Sequence, residues 1–407
     1  MPGATGRERA TWSRAAANHR HPLPWGGGWE EGDPVSRPLC IQINWQTSFG
    51  GGEMYTRFFS AALVALGWEV RLIAARGATF WKQLAMPGVT IQEIGTGAEI
   101  PGLLPREPAL VVTHTTLPAE LAREVAAGHR LGGFVHMPLN ERDPAGLAHY
   151  HRIFCVSDYV VATARARGHA QVHDEAMLGV ADLSPRAAAA ALVRRSEYDW
   201  DRRKFRDRLL SWLEPLHLRG GETFARRPGL TLGIVSRLTP IKQFPLQFGL
   251  LAPVIAAVPG VNLEIFGSGG YASVRDLRAA LAPMRGRVRW WGHQPNPAAI
   301  YPQLDCVLSG LPEREALGLN LIEAQACGTP VLAVAAPPFT ETVADGASGF
   351  LYRDPRQDKG AAFGALLREL AAGRSRPDPR LARAHLDRFS PSAFEARVAR
   401  AMAALAG

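Results

Sequence analysis

From Leu39 onward, the pattern of hydrophobic and polar positions predicts short strands that alternate with helices. Each apolar run is followed by a turn and then by a longer segment with helical spacing. The predicted strands of the first half are 39–44, 69–74, 89–94, 109–114, 132–137 and 152–157. Those of the second half are 230–236, 261–267, 287–292, 305–310 and 329–334. This alternation is typical of an α/β fold in which helices cover both faces of a parallel sheet.

The pattern weakens between about 183 and 229, which divides the chain into two α/β blocks of similar size. A length of 407 residues fits two or three domains at roughly 150 residues each. Residues 1–38 are polar, rich in Gly, Pro and Arg, and without periodicity, so they are predicted to be a disordered tail. The predicted organisation is a first domain at 39–182, a linker at 183–229, a second domain at 230–380 and C-terminal helices at 381–407.

Composition excludes several classes of protein. Hydrophobic residues make up 47% and charged residues 20%, which is ordinary for a globular chain and excludes wholesale disorder. The net charge is +9, but only four of the 46 basic residues are lysines, so the excess of arginine reflects genome composition as much as function. We therefore expect no nucleic-acid partner. The four cysteines are too widely spaced for a zinc finger or a disulfide framework, and we expect reduced thiols and a cytoplasmic location.

Two segments raise the question of a membrane. No apolar core follows Met1, so no signal peptide is predicted. The uncharged run 243–263 is long enough to span a bilayer, but it contains three prolines, two glycines and three amide side chains. It is therefore predicted to form a helix, a turn at Pro259-Gly260 and a strand.

A basic amphipathic helix is predicted within 199–217. Phe205, Leu209, Trp212 and Leu213 share one face, and arginines surround that face. The interpretation that we favour is an inter-domain helix whose apolar stripe packs on the second block. The alternative is peripheral contact with an anionic membrane, because helices with Trp and basic flanks bind such surfaces.

The first candidate binding element is the glycine cluster 50–52, directly after the first strand. In doubly wound sheets, ligands bind beyond the carboxyl ends of the strands. Glycines there allow backbone N–H groups and a helix N-terminus to approach a phosphate. The spacing fits neither the dinucleotide fingerprint nor a P-loop, and a tight turn is the simpler explanation of the cluster.

The second candidate is the segment SRLTPIKQF, after strand 230–236. Arg237 and Lys242 lie five residues apart in a loop that opens a helix. A diphosphate in a partly desolvated cleft needs such cations, with arginine offering a bidentate fork and lysine a point charge. The alternative is a solvated pair of loop charges.

The third candidate is the stretch 313–333, which contains Glu315, Gly318 and Glu323. A helix that starts near Leu317 would place Glu315 at its N-terminus and Glu323 about two turns further on. Carboxylates accept paired hydrogen bonds from vicinal hydroxyls of a sugar, and free N–H groups at 317–319 can meet a phosphate or a sugar oxygen. The alternative is that both glutamates are surface charges.

Together these segments resemble the glycosyltransferases of family 4. The resemblance covers roughly Leu39 to Asp354 and is stronger in the second half. It is carried by the motifs FGGGEM, SRLTPIK, IFGSGG, YPQLDCVLSG, EAQACGTPV and ETVADGASGFL. The family implies the GT-B fold, in which two Rossmann-like doubly wound domains face each other across a cleft, with the acceptor site in the first domain and the nucleotide-sugar site in the second.

The resemblance also implies roles for individual residues. Arg237 and Lys242 would hold the diphosphate of a nucleotide-sugar, and Glu323 would bind the ribose hydroxyls. Glu315 would contact the transferred sugar, helped by the backbone near Gly318 and Leu319.

Three residues of the first domain complete the implied site. Gly51 and Gly52 would face the phosphates and the acceptor. His136 lies near the end of the predicted strand 132–137. It would hydrogen-bond the donor sugar or support charge near the anomeric carbon of that sugar. The alternative for His136 is a satisfied histidine at a strand end.

The family chemistry implies sugar transfer to an acceptor hydroxyl with retention at the anomeric carbon. It implies no protein nucleophile, no required metal and no cofactor besides the nucleotide-diphosphate-sugar co-substrate. Leu317 stands where the family usually has an aromatic residue, and the 178–182 turn lacks the family's Asn, so the sugar stays open. Saccharide, lipid-linked and small-molecule acceptors are all open. The competing functions are a non-catalytic nucleotide-sugar binder and an epimerase or phosphorylase of the same architecture.

Overall fold

The computed structural model describes residues 37–181, 191–200, 204–217 and 221–407, with side chains left out at 213–217. The predicted tail 1–38 lies outside these ranges except for its last two residues, and so do 183–190, 201–203 and 218–220 of the predicted linker 183–229. The described residues form two parallel sheets of six strands each, flanked by helices.

The first sheet has the strand order β3-β2-β1-β4-β5-β6, and all its neighbours are parallel. Its central strands are buried on both faces, which explains why they appear in the sequence as almost unbroken apolar runs. The strands are β1 Leu39–Asn44, β2 Glu69–Ala75, β3 Val89–Ile94, β4 Leu110–Thr113, β5 Arg130–Val135 and β6 Arg152–Cys155.

The second sheet repeats this topology, with the order β12-β11-β10-β7-β8-β9. All six residues of both β7 and β8 are buried. The strands are β7 Leu230–Val235, β8 Val261–Phe266, β9 Val288–Gly292, β10 Cys306–Leu308, β11 Val331–Val334 and β12 Gly349–Tyr352. The predicted α/β class and the pair of doubly wound sheets are thus confirmed.

Helices connect the strands and cover the sheets. The longer ones in the described residues are amphipathic or almost wholly apolar, according to how much of their surface is covered. They are α1 Gly51–Ala65, α2 Phe80–Gln83, α3 Ile100–Leu103, α4 Ala119–Gly128, α5 Asp158–Ala166, α6 Phe205–His217, α7 Phe244–Ala256, α8 Tyr271–Ala280, α9 Leu319–Ala326, α10 Phe339–Thr342, α11 Pro355–Asp358, α12 Ala361–Ala371, α13 Arg383–Asp387 and α14 Pro391–Ala406.

In each sheet the strand order reverses direction between the first and the fourth strand. These switch points lie between β1 and β4 and between β7 and β10. The connections on the two sides of a switch point leave a crevice at the carboxyl ends of the strands, where ligands of doubly wound sheets bind. The glycine cluster 50–52 and the segment 236–242 each follow the first strand of their sheet.

The last helix returns to the first sheet. Phe394, Val398 and Leu405 of α14 are buried in the same hydrophobic core as β1, β4 and β5. The residues before α14 are tied to the first domain as well, because the Ala181 N–H donates to the Phe389 carbonyl at 2.9 Å. The C-terminal helices therefore complete the core of the first domain.

Several predicted bounds need correction. The predicted strand 132–137 is observed two residues earlier, at Arg130–Val135, so His136 lies in the turn after it. The helix predicted to start near Leu317 starts at Leu319, because Gly318 has a φ of 84° and interrupts the helical backbone. The strand at Gly349–Tyr352 is absent from the sequence prediction.

The favoured interpretation of the helix within 199–217 is wrong. Its apolar stripe does not pack on the second domain, since Phe205 and Trp212 are 72% and 76% exposed. The prediction for 243–263 is confirmed, because this run forms α7, a turn and β8. Among the described residues, no helix combines the length and apolarity needed to cross a lipid bilayer.

Candidate functional site

A small pocket lies at the switch point of the second sheet. Ser236 follows β7, and Ser309 and Gly310 follow β10, so two adjacent strand ends form its floor. Lys242, Glu315 and Asn320 line its walls. The Ser309 hydroxyl is buried and has no hydrogen-bond partner among the described residues. A buried hydroxyl without a partner is costly unless a ligand or water supplies one.

Lys242 and Glu315 form an ion pair inside this pocket. Their side chains are 21% and 13% exposed, so the pair is largely removed from solvent. Lys242 ends a 3₁₀ turn that begins at Pro240. The Lys242 carbonyl accepts a hydrogen bond of 3.3 Å from the Leu311 N–H, which fixes this turn against the end of β10. The structure thus joins two residues that the sequence assigned to one site.

The N-terminus of α9 points into the same region. Gly318 occupies the left-handed backbone conformation at the N-cap, which a residue with a side chain adopts only at a cost. The Asn320 side chain donates to the Val235 carbonyl at 3.0 Å and so fixes the first turn of the helix to the end of β7. The amides of Leu319 and Asn320 have no acceptor within the helix, as in any first turn, and favour an anion.

Glu323 lies one turn beyond Asn320 on the same helix. Its Oε2 accepts a hydrogen bond of 2.8 Å from the hydroxyl of Tyr301, which is fully buried. Burial raises the pKa of the Glu323 carboxyl to about 7, against a smaller opposite effect of the Tyr301 hydrogen bond. The carboxyl is therefore close to half ionised at neutral pH. No ion pair or hydrogen bond among the described residues joins Glu323 to Arg237 or Lys242.

Arg237 reaches across to the first domain. Its Nη1 donates to the Phe49 carbonyl at 3.0 Å. A Cβ at Gly50 would lie 2.7 Å from its Nη2, so a side chain at that position would displace the guanidinium. The predicted cation of the second domain thus lies against the predicted glycine cluster, with Gly51 and Gly52 in the first turn of α1.

His136 faces the same turn of α1. A Cβ at Gly52 would be 3.7 Å from His136 Cδ2, and the imidazole is stacked on Phe134 with 5.6 Å between ring centroids. Burial lowers the pKa of His136 to about 4, so the ring is neutral at pH 7. Its Nε2 is buried and has no hydrogen-bond partner among the described residues. A neutral imidazole with an unpaired nitrogen is suited to hydrogen-bond a hydroxyl.

Some pocket residues were missed by the sequence prediction. Ser236 and Ser309 lie within the motifs SRLTPIK and YPQLDCVLSG, near the ends of predicted strands, and Asn320 lies in the stretch 313–333, but the sequence prediction gave none of the three a role. Tyr301, which contacts Glu323 outside this pocket, also lies within YPQLDCVLSG and had no predicted role. Ser236 and Ser309 can be identified from the sequence if every polar residue at the carboxyl ends of the strands is taken as a candidate.

Metal ligands do not cluster here. Within the part of the chain that the structure describes, no group of three or more His, Cys, Asp or Glu side chains could hold a metal ion.

Comparisons with known proteins agree with this geometry. Residues 226–370 match the family model described as glycosyl transferases group 1. The D-inositol 3-phosphate glycosyltransferase of Segniliparus rotundus is 35% identical over 167 residues, which cover 39% of this chain and 36% of that protein. The protein of the same name from Acidothermus cellulolyticus is 29% identical over 363 residues, 78% of each chain. The chain matches only about a third of the length of the first of these relatives.

Solved structures extend the likeness to both domains. The crystal structure of Anabaena HepE in complex with UDP and glucose has a TM-score of 0.64 at 15% identity, covering 90% of this chain and 99% of that one. At this identity the likeness concerns the fold alone. The resemblance that the sequence predicts is confirmed to this extent: residues 226–370 match the model of the group 1 glycosyl transferases, and the chain has the GT-B fold.

Proposed function

We propose that this protein transfers a hexosyl group from a nucleotide-diphosphate-sugar to an acceptor hydroxyl, with retention at the anomeric carbon. The observation that carries the proposal is the pocket at the second switch point. There a largely buried ion pair, a serine hydroxyl that has no partner among the described residues, and a helix N-terminus converge beside the first domain. Such an arrangement suits an anionic ligand that also offers hydroxyl groups.

The cations act on the leaving group. Negative charge accumulates on the nucleotide diphosphate as the bond to the sugar breaks, so groups that meet this charge stabilise the transition state more than the ground state. We assign this role to Lys242, Arg237 and the first-turn amides of α9. Loss of one such hydrogen-bonding group typically lowers the rate by a factor of about 10²–10³.

The two glutamates and the histidine bind hydroxyl groups. We assign the ribose hydroxyls to Glu323, whose Oε2 is held by Tyr301. Glu315 would contact the transferred sugar while it also orients Lys242. His136 would hydrogen-bond a donor-sugar hydroxyl through its Nε2, which none of the described residues contacts by a hydrogen bond, as a neutral ring rather than as a cation.

Retention follows from the family resemblance, and with it attack on the same face as the departing phosphate, without a protein nucleophile. The proposal includes no required metal, because Lys242 and Arg237 supply positive charge at the diphosphate. It also places the protein in the cytoplasm, where its four cysteines stay as free thiols.

The acceptor is the least constrained part of the proposal. The relatives named above act on D-inositol 3-phosphate by their names, so a polyol phosphate belongs in the acceptor panel beside saccharides, lipid-linked sugars and other small molecules. Contact with a membrane is a separate proposal, argued below from α6.

The first test is a thermal-shift screen of nucleotide-sugars. A donor present at 100 times its dissociation constant stabilises the folded state by about 2.7 kcal/mol. With that donor, Lys242→Ala and Glu323→Ala should each lower turnover or donor affinity at least tenfold while the protein stays folded. The exposed residues Lys82 and Glu369 provide matched controls as Lys82→Ala and Glu369→Ala.

The outcomes separate the competing functions. Donor binding without transfer to any acceptor would indicate a non-catalytic binder, and conversion of the donor without an acceptor would indicate an epimerase. Transfer at wild-type rate by both site variants would show that the site is wrongly assigned.

A further inference from the structure

Helix α6 carries an apolar stripe that faces solvent. Phe205, Leu209 and Trp212 are 72%, 53% and 76% exposed. At about 100° per residue, these three positions lie within about 60° of one another around the helix axis. Single exposed apolar side chains are common on protein surfaces, but three large ones in one row need an explanation.

The opposite side of the helix is the side that contacts the protein. The guanidinium of Arg206 lies over the ring of Tyr271, the first residue of α8, at 4.1 Å from its centroid. Asp207, Leu210 and Ser211 are partly buried. By helix geometry, Asp207 and Leu210 are about 140° or more from Phe205, so the stripe points away from the second domain.

Positive charges border the stripe. Arg208 lies next to it on one side, where its guanidinium is 5.6 Å from the centroid of the Phe205 ring. Lys204 directly precedes the helix, and Arg206 lies beyond the other side, with its guanidinium over Tyr271. An apolar row with Phe and Trp, flanked by long basic side chains, is the pattern of helices that lie in a membrane interface.

A second copy of this chain would fit the stripe less well. A two-fold contact through α6 would bring the basic side chains of both copies together, and like charges oppose such an interface. Anionic lipid headgroups would instead neutralise them, at about 1 kcal/mol for each Lys or Arg near the surface, which corresponds to about fivefold in binding.

We propose that α6 docks the protein on an anionic lipid surface. Phe205, Leu209 and Trp212 enter the boundary between headgroups and acyl chains, and Arg208 lies among the lipid phosphates. This inference does not rest on the proposed transferase activity, since it concerns a surface outside the switch-point pocket.

The test is co-sedimentation of the full chain with vesicles, one set made of phosphatidylcholine alone and one containing roughly a third phosphatidylglycerol. We expect binding to the anionic vesicles that weakens with added salt. The double variant Phe205→Ser/Trp212→Ser should lower binding at least tenfold, and Arg208→Gln about fivefold. Leu381, 80% exposed elsewhere on the surface, supplies the apolar control as Leu381→Ser, and Arg275, 61% exposed, the charge control as Arg275→Gln.

Each variant replaces an exposed side chain, so thermal unfolding should be unchanged and folding does not confound the result. The proposal is overturned if the wild type ignores both kinds of vesicle, or if the stripe variants bind as well as the controls. It is also overturned if gel filtration shows a dimer that the double variant abolishes, because the stripe would then belong to a second copy.

Discussion

Ionisation of Glu323 should make the stability of this protein depend on pH. Burial raises the pKa of this carboxyl from 4.5 to about 7 in the folded protein. Between these values the folded chain holds a proton that the unfolded chain has released. The stabilising contribution is therefore complete below about pH 4.5 and is lost as the pH rises through 7. The shift corresponds to about 3 kcal/mol, and partial exposure of the side chain reduces the expected effect to about 1–2 kcal/mol.

Glu323→Gln removes this titration while keeping a side-chain oxygen for the Tyr301 hydroxyl. We expect the free energy of unfolding of the wild type, relative to the variant, to fall by about 1–2 kcal/mol between about pH 5 and pH 8. Urea unfolding of both proteins across this range measures the difference, and Glu369→Gln, at an exposed glutamate, is the control. A difference that stays constant with pH would refute the buried, proton-binding carboxyl.

Donor binding should show the opposite pH dependence. An ionised carboxylate accepts hydrogen bonds from two ribose hydroxyls, and hydrogen bonds to charged groups are worth about 1.5–3 kcal/mol. The affinity for the donor should therefore rise from about pH 6 to pH 8 in the wild type and lie at least tenfold lower, with little pH dependence, in Glu323→Gln. Calorimetric titration with the donor measures both effects. If stability titrates but donor affinity does not, Glu323 is a structural carboxyl and the ribose lies elsewhere.

Three further predictions concern ion pairs and the domain contact. The effects of Lys242→Ala and Glu315→Ala on kcat/KM should be strongly non-additive, because the two side chains form an ion pair. Additive effects in a double-mutant cycle would contradict the shared site. Glu264→Gln should lower the free energy of unfolding by about 3–5 kcal/mol, because this fully buried carboxylate accepts hydrogen bonds from two arginines and a tryptophan. The control Glu222→Gln removes one partner of an exposed ion pair and should cost less than about 1 kcal/mol; urea unfolding measures both. Glu341→Ala should increase the radius of gyration measured by small-angle scattering. The Glu341 carboxylate accepts 2.8 Å hydrogen bonds from the first two N–H groups of α5 in the other domain. An unchanged radius of gyration would show that these hydrogen bonds do not hold the domains together.

The strands were predictable because most of them are buried on both faces. Such strands leave unbroken apolar runs in the sequence, and all eleven predicted runs differ from the observed strands by at most two residues at either end. The strand Gly349–Tyr352 escaped because it is short and directly follows the turn at 344–348.

The amphipathic helix shows what periodicity leaves open. The spacing of Phe205, Leu209 and Trp212 indicates a helix with one apolar face, and α6 confirms that helix. Periodicity does not say what covers the face, because that depends on where the helix lies relative to both domains. The assumption that an apolar stripe must pack on its own chain produced the wrong interpretation.

The sequence indicates the candidate site residues one segment at a time, but it does not predict their contacts. Lys242 and Glu315 are 73 residues apart and meet only because β10 pairs with β7, past two strands that intervene in the sequence. The doubly wound order supplies that adjacency, and a motif alone does not. The orientation of the Tyr301 hydroxyl towards Glu323 is likewise a consequence of packing.

The site is a property of both domains together. Leu319, the first residue of α9, lies close to the first domain: a Cβ at Gly179 would be 2.4 Å from Leu319 Cδ2. Arg237 bonds to Phe49 on the same boundary, and Glu341 caps α5 further along it. Separation of the domains would therefore withdraw a cation from the glycine cluster and expose the α9 N-terminus at the same time. In the proposed function, where water must be kept away from the activated donor, this coupling would let the contact between the domains both complete the proposed diphosphate site and limit hydrolysis.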